Sequence, residues 1–177
     1  MIRKLPFILI LIPVIAFAQE AKKEDVWAPF KYFVGKWEGT GKGQSGVSEL
    51  QAEAKFVLNN RYLELRGKLV FEPQDKSKKG EVYEDMSFLS YDQIRKKYVL
   101  RQFSAPGFVT QYVLDSLPAD GKTFVFVSES MENLPPGWKA RSTYRILNKN
   151  EFHQVFELAG PGKDFEVISE SDIRRER

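Results

Sequence analysis

The chain has 177 residues with 27 basic and 24 acidic side chains, one histidine and no cysteine. Without cysteine, thiol nucleophiles, thiolate metal sites, disulfides and a lipid-modified cysteine are all excluded. The length suits one domain with a single sizeable core, and 14 Phe against 7 Tyr and 3 Trp favours strands.

Arg3 and Lys4 precede an apolar run, Leu5 to Phe17, that is broken only by Pro6 and Pro13 and ends in Ala16-Phe17-Ala18. This layout predicts a secretory signal peptide over 1–18, too short and proline-broken to suit the rival reading of a retained anchor. Removing it takes away two basic residues and lowers the formal charge from +3 to +1, so a protein exported to the periplasm or secreted is expected to be nearly neutral. No transmembrane span is expected in that mature chain. Charges are otherwise largely interspersed, with Lys76-Ser77-Lys78-Lys79 and the Arg174-Arg175-Glu176-Arg177 tail standing out as basic clusters. They read as a solvated loop and a solvated terminus, and nucleic acid is not an expected partner.

A polar linker over 19–26 leads into a single domain over 27–177. Trp27-Ala28-Pro29-Phe30-Lys31-Tyr32-Phe33 predicts one helical turn closing the bottom of the fold. In Gly35-Lys36-Trp37-Glu38-Gly39-Thr40-Gly41-Lys42-Gly43, glycines recur at every second position, which excludes a helix and predicts a bent first strand over 36–44. Trp37 would plug one end. Strand two carries Leu50, Ala52, Ala54, Phe56 and Leu58 on one face, and Asn59-Asn60 provides a tight turn. Strand three, 61–71, keeps Leu63, Leu65, Leu69 and Phe71 in phase. After a polar loop from Pro73 to Gly80, strands follow at 81–90 and 97–103. Ala105-Pro106-Gly107 introduces a sixth, with Phe108, Thr110, Tyr112 and Leu114 alternating. Asp120-Gly121 turns into Thr123–Ser130, Leu134-Pro135-Pro136-Gly137 leads to 138–147, and strands nine and ten cover 151–158 and 164–173.

Ten short strands joined by local turns predict an all-β, ten-stranded antiparallel up-and-down barrel. A two-sheet sandwich is the rival, but the long crossovers it needs are missing from the turn pattern.

Gly35-Lys36-Trp37-Glu38-Gly39-Thr40-Gly41 resembles the opening of nitrobindin-like and other lipocalin-like, calycin-type barrels. Asn60-Arg61-Tyr62-Leu63-Glu64-Leu65, Tyr91-Asp92 with Lys96-Lys97-Tyr98-Val99-Leu100, and Phe165-Glu166-Val167 resemble a bacterial branch of that group across 28–175. The resemblance implies a barrel with an apolar pocket and, in true nitrobindins, ferric haem on a histidine near the C-terminus. His153 is the one histidine here, and it does not match that C-terminal motif. The alternation sets Phe152, Gln154, Phe156 and Leu158 on one face, leaving His153 on the solvent side between Glu151 and Glu157. It is a weak haem ligand, and no other metal site or cofactor is expected.

Catalysis finds little support: Gly46-Val47-Ser48 is no nucleophile elbow, and Gly39-x-Gly41-x-Gly43 lacks the helix a phosphate loop needs. Glu81, Glu84 and Asp85 alternate faces, so a solvated edge is expected rather than a carboxylate pair. Glu129, Glu132 and Asp120 could hold a cation, but no calcium-loop spacing is present. A non-enzymatic carrier or sensor of a small apolar ligand is therefore the leading expectation. A haem protein comes second, and a structural or interaction module with a filled barrel third. Candidate cavity residues are Phe56, Phe88, Tyr98, Phe108, Tyr112, Phe124, Phe126, Trp138, Tyr144, Phe156 and Phe165. Arg66, Arg101, Arg141 and Arg145 alternate with apolar partners and are expected to face water; Arg101, which shares a face with Val99 and Phe103, is the first choice for a buried arginine that would hold a ligand carboxylate.

Overall fold

The computed structural model describes residues 25–73 and 80–177. The expected signal segment, most of the expected linker and the Lys76–Lys79 cluster lie outside the described residues. Alternating apolar and polar residues generate ten strands: β1 (Gly35–Gly43), β2 (Gly46–Val57), β3 (Tyr62–Phe71), β4 (Glu81–Asp92), β5 (Lys97–Ser104), β6 (Val109–Leu114), β7 (Thr123–Glu132), β8 (Lys139–Asn148), β9 (Glu151–Ala159) and β10 (Glu166–Arg175). Each pairs antiparallel with its sequence neighbours, and β1 pairs with β10, so the sheet closes into an up-and-down barrel. No crossover connects two sheets, which rules out the sandwich.

Closure depends on the β1 glycines. A Cβ on Gly39 would lie 2.2 Å from the Asp172 carbonyl oxygen, and one on Gly43 would lie 2.2 Å from that of Ile168. Only glycine lets β1 come this close to β10.

A 3₁₀ helix, Ala28–Phe33, with Pro29 in its first turn, lies across one end of the barrel. It inserts Phe30 and Phe33, both buried, among inward side chains of the wall. Phe30 meets Phe124 at 5.2 Å and Tyr98 at 4.7 Å between ring centroids, and Trp37 meets Phe152 edge-on at 4.8 Å. The Trp37 indole N–H donates to the Phe33 carbonyl at 2.8 Å. Trp37 thus belongs to the plug at this end.

Several boundaries differ from expectation for local reasons. Leu58 leaves the β2 face because it joins Asn59 and Asn60 in a left-handed turn, with φ of 49°, 56° and 59°, and is 70% exposed. β10 runs two residues further than expected and brings Arg175 opposite Trp37. Arg175 is therefore not part of a solvated tail. Its guanidinium donates to the Tyr32 and Val34 carbonyls at 2.8 Å each and lies 4.1 Å from the Trp37 ring centroid. Gly35 makes room for it: φ is +126° and a Cβ would lie 2.6 Å from the guanidinium.

Candidate ligand-binding lumen

The cross-strand register fixes which side chains face the axis. From the closed end toward the other, β3 turns Leu63, Leu65, Gly67 and Leu69 inward, β4 Tyr91, Leu89, Ser87 and Asp85, and β5 Tyr98, Leu100, Gln102 and Ser104. β6 contributes Leu114, Tyr112 and Thr110, and β8 contributes Ile146, Tyr144, Ser142 and Ala140. Most strands thus change from apolar residues near the 3₁₀ helix to small or polar ones near the mouth. The aromatic plug fills the closed end. The mouth-side half is walled by Gly41, Ser48, Gly67, Ser87, Ser104, Ser128, Ser142, Ser169 and Ser171, interleaved with the larger Leu69, Phe71, Tyr83, Tyr112, Phe156 and Leu158.

Several inward groups in this half are not fully buried. Asp85, Gln102, Tyr144, Gln154 and Ser171 all face the axis yet keep solvent-accessible surface. Since the wall covers their outer sides, that surface borders the lumen or its mouth.

Two hydrogen-bonded strings line this half. On one, the Tyr112 hydroxyl donates to Gln102 Oε1 at 3.3 Å, and the Gln102 side chain favours the charged form of the nearby Asp85 carboxylate. On the other, Gln154 Nε2 donates to Tyr144 Oη and to Ser142 Oγ, each at 3.3 Å. Burial raises the Asp85 carboxyl above its usual range, against the opposing Gln102 hydrogen bond. Burial also raises Tyr83 and Tyr112, with the Asp85 charge adding to both, and pushes Tyr144 up to about 12. Glu81 and Glu166 share the inward phase at the rim, where both are exposed. No Lys, Arg or His of the described strands faces inward in this half. Arg175, inward at the closed end, is engaged by backbone carbonyls. Among the described residues no group of three or more metal-ligating side chains is assembled.

The candidates read from sequence divide by position. Tyr112, Phe126, Tyr144 and Phe156 face the axis in or just beneath the mouth-side half. Phe56, Tyr98 and Phe124 also face inward but belong to the plug; Phe56 stacks edge-on against Trp27 at 5.4 Å. Phe108 and Trp138 stand at the mouth and are about a third exposed. Phe88 and Arg101, expected to line the cavity, instead pair with each other on the outer wall. Asp85 and Leu89 take the inward phase of β4 and force Phe88 out, and Arg101 bonds Ser90 Oγ at 3.2 Å on that outer face. Phe165 lies outside beneath the Arg141 guanidinium, 4.3 Å from its centroid. Arg66 and Arg141 pair with Glu64 and Glu157 across the outer wall.

His153 is on the outer face, with Nδ1 2.7 Å from Asp172 Oδ1, and cannot reach a group held in the lumen. Glu129 is taken up by Arg95 and Gln111, while Asp120 accepts the Lys122 and Thr123 amides at a turn. They do not form a common cation site. Asp85 corrects the expectation of a solvated edge: Glu84 faces out, but Asp85 faces the axis. A separate groove of about 540 Å³ lies on the outer wall, lined in part by Glu38, Thr40, Glu49 and Asp172 and crossed by the Arg174–Glu38 ion pair. It is open and holds none of the polar strings.

A closed ten-stranded antiparallel barrel, plugged by a short helix beside a Gly-x-Trp strand, is similar to lipocalin-like folds. The Mycobacterium tuberculosis protein Rv2717c matches with a TM-score of 0.64 at 13% identity, covering 87% of this chain and 99% of that one. The S-type phycobiliprotein lyase CPES from Guillardia theta matches with a TM-score of 0.54 at 14% identity, covering 84% and 90%. These likenesses establish the fold. No family model matches the chain, and no curated protein matches it.

Proposed function

We propose that this protein is an exported, non-enzymatic barrel of the nitrobindin-like group that binds one small ligand in the mouth-side half of its lumen, as a carrier or sensor. The observation that carries this reading is the run of inward serines and glycines above an aromatic floor. A barrel serving only as a scaffold would gain stability from large apolar side chains there, at about 25 cal/mol per Å² buried. Small polar residues instead leave room for a ligand body and provide groups to orient it. The CPES likeness supports the reading by analogy, since that barrel is a phycobiliprotein lyase.

The test is native mass spectrometry of protein purified from its own host, with titration of a solvatochromic apolar dye. Co-purified small molecules, or saturable dye binding displaced by a competitor, are expected. If neither is found, the binding reading fails. Haem in the lumen would need a ligand other than His153. A Soret shift on hemin titration that disappears in His153→Ala would reinstate that residue.

A further inference from the structure

We propose that the lumen selects ligands carrying a protonated amine on an apolar body, and that Asp85 is the counter-charge that holds it. The inference rests on the lumen-binding reading and deepens it by naming the ligand class.

Among the described residues, Asp85 is the one charged side chain facing the axis in the mouth-side half, apart from Glu81 and Glu166 at the rim. All three are acidic, so the described inward groups from rim to interior carry one sign of charge. Such a passage attracts cations and repels carboxylates and phosphates. Inside, Gln102 is the hydrogen-bond donor that Asp85 has among the described residues. A carboxylate offers about four acceptor positions, so most of its capacity is open to an incoming donor.

The carboxylate itself rests against a glycine. Its partner across β3 is Gly67, where a Cβ would lie 2.9 Å from Asp85 Oδ2. Any larger residue at 67 would press on the carboxylate. An ammonium has three donors, and Tyr83, Tyr112 and Tyr144 share the inward phase and carry neutral hydroxyls able to accept from it. Leu69, Phe156 and Leu158 also face the axis in this half and suit the apolar body. Desolvation disfavours the ionised Asp85 in the empty barrel; an ammonium against it offsets that cost, as an opposite charge does for any buried group.

Decylamine, decanol and decanoate share a chain and differ in the head group, so their affinities isolate that contribution. Each is titrated into the wild type, Asp85→Asn and Asp85→Glu, by calorimetry or dye displacement. Decylamine is expected to bind the wild type tightest and decanoate weakest. Asp85→Asn should weaken decylamine by about tenfold or more, the usual effect of losing a charge-assisted hydrogen bond, and leave decanol unchanged. Asp85→Glu should retain part of the amine preference. Decanol binding also shows that each variant is folded, and the wild-type ranking decides the matter if Asp85→Asn does not fold. Decanoate binding as tightly as decylamine overturns the proposal, as does an amine affinity insensitive to Asp85→Asn. If none of the three binds and nothing co-purifies, the lumen-binding reading itself falls, and this one with it.

Discussion

Arg175 shows how one side chain can be committed to structure. Its two hydrogen bonds go to the carbonyls of Tyr32 and Val34, at the point where the 3₁₀ helix gives way to β1, and its face lies over Trp37. Arg175→Ala leaves both carbonyls short of a donor and removes the stacking, which should cost about 2–4 kcal/mol in urea denaturation. Arg175→Lys keeps the charge but not the fork and should fall between; equal stability of all three proteins would show that the clamp contributes nothing. Asp85 is the opposite case, a carboxyl whose native environment works against its charge. Its pKa is raised by burial, so the native state binds more protons than the unfolded chain between the ordinary carboxylate value, about 3.9, and the raised one. Wild-type stability therefore falls as pH rises through that window and stays lower above it. The groups around Asp85 from β3, β5, β6 and β8 are Gly67, Gln102, Ser104, Tyr112 and Tyr144, with Tyr83 on its own strand, and none of them is basic. Asp85→Asn should raise Tm at neutral pH, by a few degrees for each kcal/mol at about 2–4 °C per kcal/mol, and the gain should vanish as pH falls below the window. A gain of equal size at low and neutral pH would mean that the carboxyl is not desolvated.

At the scale of the strand, period-two alternation identified all ten elements, because an antiparallel wall with one face inward repeats its side chains in that way. The candidate site was harder to read, since apolar residues occupy both faces of several strands. Val99, Val113 and Val127 form an apolar row on the outer wall, in register with one another. Arg101 and Phe103 share their phase, which is why Arg101 looked buried. The useful signal was in the other phase, where Asp85-x-Ser87-x-Leu89, Gln102 with Leu100, and Ser142-x-Tyr144-x-Ile146 each run from polar to apolar toward the closed end. Serines in phase with a core face mark a hollow, whereas aromatics in phase with it mark either a hollow or a plug. Arg175 was hidden for a different reason: the pairing of β10 with β1 is the longest-range contact in the chain, and nothing local fixes where β10 ends. That seam makes its own prediction. Gly39→Ala sets a methyl group against the Asp172 carbonyl and should cost about 1–3 kcal/mol, as overpacking does. Amide exchange should accelerate along β1 and β10 before β3 and β4, because the strain is confined to the closing pair. Uniform acceleration around the barrel would contradict that localisation.

For the whole molecule, the two halves of the barrel divide stability from binding. The closed end holds the aromatic cluster and the Arg175 clamp, and the mouth-side half holds small residues and the polar strings. Ser171 tests the division, since it faces the axis opposite Gly41, keeps accessible surface, and is remote from the plug. In a filled barrel, Ser171→Phe would force neighbours off their rotamers at a cost of about 1–3 kcal/mol. In a hollow one the ring enters space that water or ligand occupies, so Tm should change little or rise as apolar surface is buried. The same ring should displace the ligand, giving the variant weaker dye and amine binding at unchanged stability. A carrier and a filled module thus predict opposite pairings of two measurements on one variant. Loss of stability with no effect on binding would assign the lumen to structure, and loss of binding alone would assign it to a ligand.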